Sequence, residues 1–220
     1  MNASFGLLFC PNWPESKRSL ILYGSPVTGG KVFFKDVQSP KESSRIDIPY
    51  LTVDMTVDMT VSPLHTAASV GDIDAFNTIV KEVADLNQVN EKGETPLHVA
   101  AISGETTVGA YITECGGDVN LPDNNGNTPL HLAAMNNKRL FVSMLLWGEA
   151  NVNATNSEGN TPLHEAAKRG FAQVAYMLLQ DGGDSAKDLV NADGKTALTL
   201  AKESGDQKTI ECIENPEAEF

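Results

Sequence analysis

The chain has 220 residues, 41% of them hydrophobic and 20% charged, and a net charge of −13. That balance belongs to a folded chain and excludes an intrinsically disordered one. The charge is uneven: residues 1–50 carry +2 and residues 51–220 carry −15. The acidic portion repels phosphate backbones, so binding nucleic acid by direct charge is not expected. It favours a basic partner surface, or solubility alone. Cys10, Cys115 and Cys212 have no CxxC spacing, and an odd, dispersed set fits a reducing compartment better than a disulfide framework. Near the N-terminus the apolar run Phe5–Phe9 has no basic residue before it and is too short for a signal peptide. No stretch is long and apolar enough to span a membrane. An intracellular, cytoplasmic protein is expected, with the nucleus as the alternative. It should be a monomer on its own.

In chain order, Ser19–Tyr23 and Lys31–Val37 read as short strands, and the turn-rich stretch between them suggests a hairpin. The loop Gly24–Lys31 has some features of the phosphate-binding GxxxxGK[ST] loop, but its spacing is one residue too long. Val32 stands where the metal-binding hydroxyl belongs, and a strand comes next where a helix is needed, so no nucleotide cofactor is expected. Leu51–Val61 alternates apolar and polar residues without a fault, the period of a half-buried extended segment. It is expected to cap the apolar end face of the first unit, which begins at Ser62.

From Ser62 onward a motif recurs. SPLHTAA at Ser62, TPLHVAA at Thr95, TPLHLAA at Thr128 and TPLHEAA at Thr161 start 33 residues apart, and TALTLAK comes 35 residues later at Thr196. A fixed period of this length means one supersecondary unit repeated and stacked. Each unit places Thr or Ser at a helix N-cap and, in the first four, Pro at the first helical position. Leu97, Leu130 and Leu163 serve as core anchors, and the alanine pairs beginning at Ala67, Ala100, Ala133 and Ala166 keep the first helix slim. Gly71, Gly104 and Gly170, with Asn137 in the third unit, are expected to end that helix at positive φ. A second amphipathic helix comes after it, apolar at Phe141, Val142, Met144, Leu145 and Leu146 in the third unit, and at Val174, Ala175, Met177, Leu178 and Leu179 in the fourth. Polar turns containing Gly93, Gly126, Gly159 and Gly194 close the units.

The TPLHxAA motif at this spacing, with Gly116–Asn120 (GGDVN) and the glycine turns, resembles the ankyrin repeat family over residues 62 to about 214. The resemblance implies an all-α solenoid of about five helix-turn-helix units with projecting β-hairpin-like fingers. Unit starts fall near 62, 95, 128, 161 and 196, with a small N-terminal extension of short β-strands over 1–61 and an acidic tail over 215–220.

Departures from the pattern carry expectations of their own. Gly109 lies inside the second helix of unit two, where glycine costs about 1 kcal/mol against alanine, so this unit should open most readily. In unit three Gly148 comes one residue early and Glu149 takes the usual glycine position, leaving Trp147 exposed on the outer side. Two extra residues in Asp181–Asn191 should lengthen or bend the fourth finger. Lys202 replaces the second alanine in unit five, as suits a C-terminal cap.

All four histidines, His65, His98, His131 and His164, occupy the fourth position of the motif. Units stack about 10 Å apart, too far for these rings to share one ion at bonds of about 2.1 Å. Each imidazole should instead bond its own Thr and the backbone between units. Cys115 and Cys212 read as small apolar residues at helix ends. With the histidines assigned to structure no catalytic constellation remains, so no enzyme, no metal and no cofactor are expected.

The resemblance implies protein binding through finger tips and the concave face of the first helices. On this chain the tips are Glu91, Lys92, Glu94, Asn124, Asn125, Asn127, Ser157, Glu158 and Asn160, and the concave positions are Ile102, Ser103, Met135, Asn136, Lys168 and Arg169. These are also positions on which the repeat places no structural demand. Ile102 and Met135 are apolar where solvent is expected, as at an interface core, although single exposed apolar residues are also ordinary on a protein surface. The expected function is a non-catalytic adaptor, scaffold or inhibitor; the alternative makes residues 1–61 the docking piece, with Ser25-Pro26 and Ser39-Pro40 open to proline-directed phosphorylation.

Overall fold

The computed structural model describes residues 62–82, 85–182 and 185–216. The strands expected within 19–37 and 51–61, the Gly24–Lys31 loop and Cys10 lie outside the described residues; Cys115, expected to be a small apolar residue outside any disulfide, is disulfide-bonded, while Cys212 is free and buried. Eleven helices occur in order among the described ones: α1 Pro63–Val70, α2 Ile73–Glu82, α3 Pro96–Ser103, α4 Thr106–Glu114, α5 Pro129–Met135, α6 Arg139–Trp147, α7 Pro162–Lys168, α8 Ala172–Gly182, α9 Ser185–Asp188, α10 Ala197–Ser204 and α11 Gln207–Glu214. α1, α3, α5, α7 and α10 pack in succession as an inner row, α2, α4, α6, α8 and α11 as an outer row, and each inner helix packs on the next outer helix in the chain.

Local chemistry accounts for these short helices. Thr95, Thr128 and Thr161 hold extended backbone immediately before Pro96, Pro129 and Pro162, whose fixed φ and missing N–H suit the first helical position. Ser62 departs from this: its hydroxyl donates to Gln88 Oε1 at 3.2 Å and makes no cap bond. The inner row closes up because Ala68, Ala100, Ala101, Ala133, Ala134, Ala166 and Ala167 are fully buried at the helix contacts. Leu64, Leu97, Leu130 and Leu163 from the inner row meet Phe76, Val108, Ile112, Phe141, Leu145 and Leu178 from the outer row in one continuous core. Inner helices end at left-handed residues as expected, with φ 77° at Gly71, 87° at Gly104, 54° at Asn137 and 72° at Gly170.

Two expectations change. The fourth finger is neither longer nor bent: Asn191 N–H donates to Lys195 O at 2.9 Å, matching Asn156 to Asn160 at 3.0 Å and Asp123 to Asn127 at 2.8 Å. Its extra residues lie upstream, where α8 runs on to Gly182 and α9 adds a turn that buries Ala186 between α8 and α10. A finger is matched in length to the finger it stacks on, whereas the end of an outer helix has room to grow.

Gly109 also has a packing reason that propensity does not show. A Cβ there would lie 2.6 Å from Phe141 Cε2 and 2.7 Å from Met144 Cε, and Phe141 is fully buried. Glycine is what allows α4 to lie against α6. Helix propensity alone predicts that Gly109→Ala stabilises by about 1 kcal/mol. Overpacking costs about 1–3 kcal/mol, so the substitution should lower the urea midpoint. A raised midpoint would show that Phe141 yields and that propensity wins.

Candidate functional site

The fingers and the inner row form one face, built from side chains that fold back on their own backbone. Five residues before each Thr stands an Asn or Asp whose side chain ties its turn. Asn90 Oδ1 accepts the N–H groups of Lys92 and Glu94 at 2.9 and 3.0 Å, and Asp123 Oδ1 those of Asn125 and Asn127 at 2.8 Å each. Asn156 and Asn191 repeat the arrangement with Glu158, Asn160, Asp193 and Lys195 at 3.0–3.1 Å. Such Asx turns satisfy backbone donors that would otherwise need water.

The fingers are then joined to one another. Asn124 N–H donates to Lys92 O at 3.0 Å, Ser157 N–H to Asn125 O at 2.9 Å and Ala192 N–H to Glu158 O at 3.1 Å. At the middle step Gly126, at φ 77°, has room for no side chain, since a Cβ would sit 2.9 Å from Ser157 N. Asn156 Nδ2 donates to Asn127 Oδ1 at 3.0 Å, and Asn191 Nδ2 to Asn160 Oδ1 at 2.9 Å. The fingers therefore stand as a braced row.

The histidines fasten that row to the inner helices. His98 Nδ1 accepts the Thr95 N–H at 3.0 Å and pairs with its hydroxyl at 2.8 Å, so Nε2 carries the proton and donates to Asn127 O at 3.0 Å. His131 links Thr128 to Asn160 O in the same way, its Nε2 contact being 2.9 Å, and His164 links Thr161 to Lys195 O at 3.1 Å. His65 reaches Glu94 O at 2.8 Å, but its buried Nδ1 meets no partner among the described residues, because Ser62 is turned toward Gln88. Burial lowers the pKa of all four imidazoles, and the accepting backbone carbonyls only partly oppose it. Among the described residues no group of three or more His, Cys, Asp or Glu is placed to hold a metal ion.

Glu165 is the one buried carboxylate on α7, 2% exposed. Burial opposes its ionisation, but Arg169, whose guanidinium pairs with Oε2, and Asn160, whose amide donates to Oε1 at 2.8 Å, more than offset this and hold its pKa below the usual value. The charge is committed to bracing the third finger.

The predicted contact residues divide between surface and frame. Glu91, Lys92, Asn124, Asn125, Ser157 and Glu158 lie exposed at the tips. Glu94 is half-buried and accepts from Asn90 Nδ2 at 2.8 Å. On the inner row Ile102 is exposed and Ser103 half-buried, while Asn136, also exposed, donates to Leu132 O at 2.8 Å. Lys168 stands 3.8 Å from Glu158, and Arg169 is paired with Glu165. Asn127 and Asn160 are corrections: 7% and 2% exposed, they are cross-braces and not tips. Met135 is a partial one, since it lies half-buried against the core. The bracing residues Asn90, Asp123, Asn156 and Asn191 were not among the predicted ones, although their repeat spacing in the sequence is itself a signal.

Stacked helix pairs with a braced row of fingers define a helical repeat solenoid. The chain belongs to the ankyrin repeat family: the family model described as ankyrin repeats (3 copies) matches residues 64–156 and 138–217, about 70% of the chain. No curated protein matches it. The family is one of protein-interaction modules. Among the described residues no helix is long and apolar enough to cross a membrane.

Proposed function

We propose that this chain is a non-catalytic adaptor, scaffold or inhibitor that works in the cytoplasm, holding a partner protein with a basic surface against its finger tips and inner helices. Five units with boundaries near 62–94, 95–127, 128–160, 161–195 and 196–214, capped by residues 1–61, would present that surface, and the free protein would be a monomer. The observation that carries the reading is the braced finger row. Buried Asn127, Asn160 and the histidines fix the backbone, while Glu91, Asn124, Ser157 and Glu158 beside them stay exposed. A surface ordered before binding loses little entropy when a partner docks. The acidity of residues 51–220 adds attraction for basic partners.

The test is a pull-down with the full chain and with a variant carrying Glu91→Ala, Ile102→Ser, Asn125→Ala, Ser157→Ala and Glu158→Ala. None of these side chains packs in the core, and only Glu158, which accepts from Asn160 Nδ2 at 3.0 Å, ties its turn, so the melting temperature should fall little while prey captured by the wild type is lost. Capture undiminished in a variant that melts normally would remove this face as the site.

A further inference from the structure

The internal repeat provides its own comparison for the outer surface. At the station occupied by Leu140 the other units place Asp74, Thr107 and Gln173, and at the station of Trp147 they place Lys81, Glu114 and Gln180. Of these four helices only α6 is apolar at both. There Leu140 is 78% exposed and Trp147 is 92% exposed, seven residues apart on one side of the helix, with half-buried Met144 between them. Single exposed apolar residues are ordinary, but two of the largest on one helix face form a patch. A cleft of about 260 Å³ continues the patch toward α4, with Ala110, Met144, Trp147 and Gly148 in its lining.

The same corner of the molecule carries a covalent link to the N-terminal segment. Cys115 ends α4, at the station of the repeat where Gly148 ends α6. Cys115 is disulfide-bonded and Cys212 is free. Cys10 is the third and last cysteine of the chain, so it is the partner. The apolar run Phe5–Phe9 stands directly before it. Five extended residues reach at most about 17 Å, and helices packed side by side lie about 8–10 Å apart. The bond therefore brings the run within reach of Leu140 and Trp147. Charge favours the same contact, since residues 1–50 carry +2 against −15 for residues 51–220.

We propose that Phe5–Phe9 docks on Leu140, Met144 and Trp147, held there through the Cys10–Cys115 bond, so that the chain's own N-terminal segment covers the outer face of α6. Its aromatic and leucine side chains enter the cleft beside Met144 and take the indole of Trp147 out of water. Tethering keeps the segment at an effective concentration of about millimolar, so an outside partner for this face must displace it. The contact lies on the outer row, away from the finger surface.

A Trp13→Phe background leaves Trp147 as the sole tryptophan, and the full chain is purified without reductant. Non-reducing peptide mapping should recover Cys10 joined to Cys115 within a monomer. Trp147 emission should be blue-shifted, with acrylamide quenching several-fold weaker than after Phe5→Ser, Leu7→Ser, Leu8→Ser and Phe9→Ser are made together. Dithiothreitol, which reduces the bond to two thiols, should raise quenching part of the way. Leu140→Gln gives a second reading if the fourfold variant folds poorly. Gln173 already occupies that station on α8, and loss of the apolar contact should again open Trp147 to the quencher. Trp147 as open to acrylamide in the starting protein as in these variants would overturn the proposal. Three free thiols, or Cys115 bonded between two chains, would do so as well. So would shielding that survives the serine substitutions and comes with a dimer in sedimentation, since the occupant would then be a second copy.

Discussion

His131→Leu should lower the free energy of unfolding by about 2–4 kcal/mol. The imidazole is fully buried, and its two nitrogens satisfy backbone groups 32 residues apart in the chain, Thr128 N–H at 3.2 Å and Asn160 O at 2.9 Å. Leucine matches the apolar volume and neither bond. Two buried polar groups then lose their partners, each costing about 1–3 kcal/mol, and burial of a more apolar side chain offsets part of that. His65→Leu is the internal control. Its Nδ1 has no partner among the described residues, so only the bond to Glu94 O at 2.8 Å is lost, and the cost should be nearer 1 kcal/mol. Equilibrium urea titration of both variants decides the matter. Equal losses would mean that the Thr–His clasp adds nothing to the bond across to the finger.

Acid should destabilise this protein before its carboxylates titrate. All four imidazoles have pKa values lowered from 6.5 by burial. Below 6.5 the unfolded chain takes up protons that the folded chain refuses, so stability falls with falling pH until each depressed folded pKa is passed. The four imidazoles act in the same direction, so their contributions to the pH dependence add. Glu165 acts in the same direction lower down: its depressed carboxyl contributes stability above 4.5 that is lost as pH falls through the folded value. The protonated ring also cannot accept the Thr N–H at Nδ1, which opens the finger row at the points where it is fastened. Urea midpoints at pH 7.5, 6.5 and 5.5 should decline with increasing steepness. A flat profile across that interval would show that the folded chain accommodates imidazolium, contrary to the enclosed geometry of His98 and His131.

Much of this architecture is legible in the sequence because its causes are local. Thr before Pro, alanine pairs and glycine or Asn137 at helix ends each act within a few residues, and the fixed spacing of the motifs reveals the stack. The histidines were legible too, because ligation needs convergence and a regular period forbids it. Candidate contacts were legible only in part. Asn125 and Asn127 look alike as polar turn residues, yet one is exposed to solvent and the other is locked between Asp123, Asn156 and His98.

Propensity, capping and period are carried by neighbouring residues, so the order of amino acids was enough for the class of fold, the helix boundaries and the role of the in-register histidines. Three features depend instead on packing between distant parts of the chain. The two extra residues of the fourth unit went into α9, because stacked fingers must match in length. Gly109 became a packing requirement, because Phe141 fills the space a side chain would need. The finger residues divided into braces and tips, because a hydrogen-bond partner 29 or more residues away leaves no mark on the local pattern of polar and apolar residues.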